Sequence, residues 1–261
     1  MGEFVRLEDS SVDGVSVIRL DRPKVNALNR QLCSELGEVV GELAERREVR
    51  AAVLWGGPRF FAAGADISEF PTNEGHRDPS PLVAVMNDAY NALERLPQIT
   101  VAAVNGFALG GGCELAMTTD FRVCGESAQF GQPEVLLGLI PGAGGTQRLT
   151  RLVGMTKSKE LNYSGRMVPA SEALDIGLVS AVHPDEEVFD RALEMAAQFA
   201  TGPASLANMK WSIQNGADLT IAAALDVEQN EFVNCFQTDD AVIGITSFLE
   251  SGPGNAEFTG R

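Results

Sequence analysis

Apolar and polar residues alternate over Phe4–Glu8 and again over Val15–Leu20, the period-two pattern of half-buried strands, with SSVDG between them as a turn. The loop DRPKVNALNR then hands over to a helical period. Leu32, Leu36, Val39, Val40 and Leu43 fall on one face, and Asn29 stands where a helix N-cap belongs. AAVLWG (51–56), TVAAVNG (100–106) and FRVCG (121–125) lack the polar half of the alternation, as strands covered on both faces do. Between the second of these and AAVLWG, a helix is predicted over Leu82–Leu96, with Leu82, Val85, Met86, Ala89 and Leu93 on its apolar side. The segment between Pro71 and Pro81, PTNEGHRDPSP, is polar and proline-flanked and reads as a mobile surface loop. Strands and helices in this traffic indicate an α/β layered domain.

After Val182 the pattern turns helical throughout: Glu187–Ala200, Pro203–Gln214, Leu219–Phe236 and Asp239–Leu249. Ile221, Leu225, Phe232 and Phe236 form an apolar stripe on the third of these. A helical tail with so little core of its own has to pack on the main domain or on another subunit.

Composition narrows the function classes. The chain has 261 residues, 44% hydrophobic and 21% charged, which suits one large globular domain or one domain with an appendage. Its 20 Lys and Arg against 36 Asp and Glu give a net charge of −16, which argues against nucleic acid as a partner. The same field opposes anionic ligands, so an anion would need backbone dipoles or a few placed cations. Cys33, Cys113, Cys124 and Cys235 are scattered without a C-x-x-C pair and read as reduced thiols, not a disulfide framework or zinc site. MGEFVRLEDS runs into strand-like alternation without an apolar leader, and no apolar run approaches a membrane span, so a cytoplasmic protein is expected.

Candidate chemistry starts from a shortage. His76 and His183 are the only histidines, and neither sits among partners that would make a triad or a metal site. PGAGGTQR (141–148) lacks the Gly-Lys-Ser/Thr ending of a phosphate loop and reads as a tight turn into a helix. Gly110–Gly112 differ: they follow a buried strand and precede CELAMTTD, so their amides lie at the positive end of a helix and can hold a developing oxyanion. FFAAGADI (60–67), small-residued and also following a strand, is a second donor loop. Glu114, three residues past Gly111, projects near the same spot, and Glu134 follows Pro133 in a largely apolar setting. Two carboxylates in one desolvated site push their pKa values apart, which supplies an acid and a base. Spacing alone leaves Glu114 equally readable as a helix-dipole partner and Glu134 as a surface residue.

Taken together, FFAAGADI, AAVNGFALGGGCELAMTTDFRV, AQFGQPEVLLGLIPGAGGTQRLTRLVG, SGRMVPASEALDIGLVSAVHP and the ending AEFTGR resemble the crotonase superfamily, and within it the enoyl-CoA hydratases, over almost the whole chain. The resemblance implies a crotonase-like spiral of ββα repeats over residues 1–195 that carries the acyl-CoA site. Residues 196–261 would then be a helical C-terminal oligomerisation region that builds a homotrimer or a homohexamer. It also implies that the amides of Ala65 and Gly111 form an oxyanion hole for a thioester carbonyl. Glu114 and Glu134 would hold and activate water. Ala63, Ala65, Asp66 and Ile67 would lie along the CoA moiety, Lys24 would reach its phosphates and Phe248 would pack at the acyl-CoA site. The implied reaction is hydration of trans-2-enoyl-CoA to 3-hydroxyacyl-CoA, in fatty-acid β-oxidation or related acyl-CoA catabolism. It needs no metal and no separate cofactor, because CoA arrives with the substrate.

One departure from the family pattern stands out. Where the last helix commonly ends F-x-E-K-R, this chain has Ser251 and Gly252 in place of the Lys and Arg, which puts a cationic phosphate contact from that end in doubt. Two other functions compete with hydration: a Δ3,Δ2-enoyl-CoA isomerase, which needs a base at Glu134 but not Glu114, and a non-catalytic or RNA-binding scaffold. The presence of both glutamates favours the hydratase, and the negative charge disfavours the RNA reading.

Overall fold

The computed structural model describes residues 2–70 and 78–261, so His76 and most of the polar segment Pro71–Pro81 lie outside the described residues. Strands β1 (Val5–Asp9) and β2 (Val15–Leu20) form the expected antiparallel hairpin. From β2 the sheet continues in parallel through β3 (Ala51–Trp55), β4 (Ile99–Val104), β6 (Phe121–Gly125) and β9 (Ala181–His183). A second, three-stranded sheet is built from β5 (Phe107–Leu109), β7 (Gln129–Gly131) and β8 (Val168–Pro169).

The wholly apolar strands are explained by what covers them. Val17, Val53 and Val101 are in register and pack, with Val15, Ala103 and Val123, under Val188, Ala192 and Ala196 of helix α7 (Val188–Ala200). The alternate positions Ile18, Leu54, Ala102 and Val104 face the opposite way, toward helices α1 (Arg30–Glu45) and α2 (Ser80–Glu94) and the second sheet. Each face therefore has its own apolar layer, and a polar residue that these strands do carry, Arg122 of β6, is buried with protein partners, the Leu178 and Thr119 carbonyls. Asn29 caps α1 as expected, its side-chain oxygen accepting from Leu32 N at 2.9 Å.

A repeating turn of the chain runs large-sheet strand, small-sheet strand, helix. Strands β4 and β5 lead into α3 (Gly111–Ala116), and β6 and β7 lead through a 3-10 turn (Pro133–Leu137) into α4 (Gly145–Val153) and α5 (Met155–Ser164). The turn beginning with β3 replaces its small-sheet strand with a single bridge, Ala62 to Ala108. These are the ββα repeats of a spiral. After β8 come the short helix α6 (Ala170–Asp175) and then β9.

Helix α7 spans the expected 195/196 boundary, its buried face continuing to Ala200. Beyond it α8 (Ser205–Gly216) pairs with α9 (Ile221–Cys235). One buried cation fastens α8 to the core: Lys210 Nζ donates to Asp120 Oδ2 at 2.8 Å and to the Gln98 carbonyl at 2.9 Å. Helix α10 (Asp239–Ser251) is tied by the buried Asp240 carboxylate, which accepts from the amides of Ala204, Thr259 and Gly260. The predicted stripe on α9 is present but lies open, as Ile221, Leu225, Phe232 and Phe236 are all exposed, and Val242 and Leu249 of α10 are exposed with them. Cys33, Cys113 and Cys124 are buried, and Cys235 is half-buried.

Candidate active site

The segment Phe60–Asp66 threads between two others like a strand without a sheet. On one side Ala62 N donates to Phe107 O and Leu109 N donates to Ala62 O. On the other, Leu28 N donates to Gly64 O and Asp66 N to Leu28 O. This second pattern leaves the N–H of Ala65, midway between those partners, turned away from Leu28. It points toward α3: a Cβ on Gly111 would stand 3.5 Å from Ala65 N. Gly111 is the first residue of α3, so its own N–H has no intrahelical acceptor. Among the described residues neither amide has a protein partner. The two donor loops predicted from sequence therefore converge.

The glycines make the convergence possible. Gly110 has φ 48°, a conformation that side chains disfavour, and its missing Cβ leaves space for Glu134 Oε1, 2.8 Å from where that atom would be. Gly112 backs directly on the Ala62 carbonyl.

Glu114 is buried in the first turn of α3, and its Oε1 accepts from Ala143 N at 2.8 Å and Gly145 N at 2.7 Å. Burial raises its pKa, while the two amides and the charge of Arg148 pull the other way. Glu134 follows β7 on the 3-10 turn; burial, reinforced by the charge of Glu114, pushes it up to about 7. The two carboxylates thus share one partly dry site and have different partners, the arrangement that separates an acid from a base. The buried Gln132 faces Glu134 and, with its amide nitrogen turned to it, donates at 3.2 Å to both carboxylate oxygens. Tyr90, fully buried on α2, donates from Oη to the Gly111 carbonyl at 2.8 Å.

The remaining predicted residues divide. Ala63 lies within the donor loop, and its amide is engaged with Val25 O. Asp66 is next to Ala65, but its carboxylate is occupied: Arg22 Nη2 donates to it at 2.7 Å, and Ser68 N and Oγ donate to its other oxygen. Ile67 is exposed at the start of a 3-10 turn (Ile67–Glu69), and Lys24 is exposed in the loop before α1. Phe248 is apart from these. It lies on α10 at a groove of about 440 Å³ that it shares with Thr201, Ser247, Pro253 and Phe258, none of them on the loops carrying the glutamates.

Gln132, Tyr90, Arg148 and the amides of Ala143 and Gly145 were not singled out from the sequence. PGAGG is the turn into α4 that was expected, with Gly144 at φ 107°. The signal that finds its amides is the one applied to Gly110–Gly112, namely glycines ahead of a helix.

Comparison with known proteins identifies the family. The family model described as enoyl-CoA hydratase/isomerase matches residues 10–261. The chain is 43% identical to the short-chain-enoyl-CoA hydratase of Clostridium acetobutylicum over 90% of its own length and 91% of that protein. It is 38% identical to the crotonyl-CoA hydratase of Syntrophomonas wolfei, covering 92% and 94% of the two chains. The crystal structure of an enoyl-CoA hydratase from Bacillus anthracis superposes with a TM-score of 0.92 at 35% identity, over 99% of this chain and 100% of that one.

Proposed function

This chain belongs to the enoyl-CoA hydratase/isomerase family, and from that premise we propose that it adds water across the C2=C3 bond of a trans-2-enoyl-CoA. The thioester carbonyl oxygen is received by the N–H groups of Ala65 and Gly111. Glu114, which two amides favour in its ionised form, takes a proton from water as the water oxygen bonds to C3. The electron pair of the double bond moves toward the carbonyl oxygen, where the two amides stabilise the enolate charge. Glu134, pushed up to about 7 and so substantially protonated at neutral pH, delivers its proton to C2. Proton return from Glu114 to Glu134 resets the site. This chemistry draws only on side chains and main-chain donors, with CoA entering as part of the substrate.

The observation that carries the reading is the pairing of two amides, unclaimed among the described residues, with two carboxylates held differently in one partly dry site. Glu114 decides between hydration and isomerisation, because an isomerase has no use for a second carboxylate anchored in this way. Lys24, Ala63, Asp66 and Ile67 serve the CoA moiety in this reading, the last three through the shape and backbone of their loop. The exposed apolar faces of α9 and α10 support assembly of several copies, a trimer or a pair of trimers, in which Phe248 reaches an acyl-CoA site across the interface. Among the described residues no helix is long and apolar enough to cross a membrane. With four thiols and no disulfide, a cytoplasmic location is the one we propose.

The test is the enoyl-thioester absorbance of crotonyl-CoA, followed with the parent and with Glu134→Gln. Decay of the band with the parent alone supports hydration. A parent that leaves the band intact, while isomerising a 3-enoyl thioester even as Glu114→Gln, would make the protein an isomerase.

A further inference from the structure

Arg148 lies one helical turn beyond the loop that anchors Glu114, and its guanidinium is largely buried. Nε donates to Glu94 Oε1 at 2.9 Å and Nη2 to Glu94 Oε2 at 2.7 Å, a two-pronged pair with α2. Nη2 also donates to Asn91 Oδ1 at 2.9 Å. The remaining arm, Nη1, donates to the Ala143 carbonyl at 2.9 Å. That carbonyl belongs to the peptide joining Ala143 to Gly144, which sits between the two N–H groups donating to Glu114. The segment has little stiffness of its own, since Gly144 is left-handed at φ 107°. A Cβ at 144 would fall 2.1 Å from Arg148 Nη1, so the guanidinium is laid directly against this peptide.

We infer that Arg148 is a positioning residue for Glu114, holding the Ala143–Gly145 peptides at the spacing its carboxylate requires while Glu94 and Asn91 of α2 aim the guanidinium. A planar fork can serve Glu94, Asn91 and Ala143 at once; an ammonium is a point charge without that geometry. The inference rests on the hydratase reading, in which Glu114 is the base. Glu114 is faced by Arg148 from α4, Tyr90 from α2, Cys113 from its own helix and Glu134 from the turn after β7. Arg148 is the one cation in that set.

The test is steady-state hydration of crotonyl-CoA across pH by the parent, R148M, R148K and E94Q, with thermal melts to establish folding. R148M is expected to lose on the order of 10² in kcat, as displacement of a reacting group does, with little change in KM. The acid limb of its kcat profile should move to higher pH, because the positive charge that favours ionised Glu114 is gone. R148K should return that limb toward the parent's position without restoring kcat. E94Q, which leaves every group near the substrate in place, should show a smaller fall in kcat, again at constant KM. Folded R148M with parental kcat and acid limb would overturn the inference. Should R148M fail to fold, parental kcat in E94Q would overturn it. A parent that does not hydrate crotonyl-CoA at all would instead sink the hydratase reading.

Discussion

Gly112 stands so close to Ala62 that a Cβ on it would lie 2.1 Å from the Ala62 carbonyl oxygen. This contact joins the two donor loops back to back, since Ala62 opens the segment leading to Ala65 and Gly112 follows Gly111. No side-chain rotation relieves a clash with backbone. Gly112→Ala is therefore expected to force the loops apart, at a cost of about 1–3 kcal/mol in stability. Activity should fall further than stability does, because Ala65 N and Gly111 N would no longer share a focus. Thermal melts and hydratase assays on one preparation check both; parental kcat in Gly112→Ala would refute it.

Glu134 gives a pH signature. With its carboxyl pushed up to about 7 by burial and by Glu114, the protonated form that the proposed mechanism uses at C2 declines as pH rises through that value. Turnover should show an alkaline limb near there. Glu134→Gln should lower kcat by roughly 10²–10⁴ and abolish that limb. Stability is linked with a definite sign. A carboxylate raised from 4.5 to about 7 holds its proton in the folded state where the unfolded state has lost it, so this group's contribution falls as pH climbs between those values. The glutamine variant should be less sensitive to pH in that window, as denaturation at pH 5 and pH 7.5 would reveal.

Tyr90 bonds to the carbonyl of Gly111, whose amide is one of the two proposed to receive the oxyanion. Tyr90→Phe removes a single buried oxygen and leaves the ring packing intact. A loss of about 1 kcal/mol, roughly fivefold if it falls on the transition state, is expected in kcat rather than KM. The absorbance shift of a conjugated enoyl-CoA on binding reports carbonyl polarisation, and it should diminish in the variant. An unchanged shift would confine Tyr90 to packing.

Lys210 makes the attachment of the C-terminal helices depend on a buried charge pair. Lys210→Met leaves the Asp120 carboxylate, among the described residues, with the backbone and hydroxyl of Thr100. Breaking such a pair costs about 3–5 kcal/mol. The melting temperature should drop sharply while kcat of the folded protein stays at the parent value. A parental melting temperature would show that α8 is held by other contacts.

Local periodicity was enough for the framework. The hairpin, the Asn29 cap, the three apolar strands and the helices after Val182 each depend on residues within a turn or a strand of one another, so spacing along the chain encodes them. The relation of Glu114 to Gly111 was legible for the same reason, being helical geometry over one turn. The crotonase resemblance added the match of the whole pattern to a known spiral.

Other features are set across the fold. Glu114 is anchored from 29 and 31 residues away, by a glycine loop that sequence identified only as a turn. The carboxylate of Asp66 is taken up by Arg22, 44 residues distant, a pairing that no local pattern announces. The sequence by itself determined the hairpin, the apolar strands of the large sheet, the strongly periodic helices and the positions of the two glutamates and the small-residue loops, because those properties are local, whereas the short strands of the second sheet carry no periodicity of their own. Only the tertiary structure decided which amides stay unclaimed among the described residues, which carboxylate accepts two backbone amides and which glycine touches backbone, because burial and hydrogen-bond partners come from chain segments that meet only on folding.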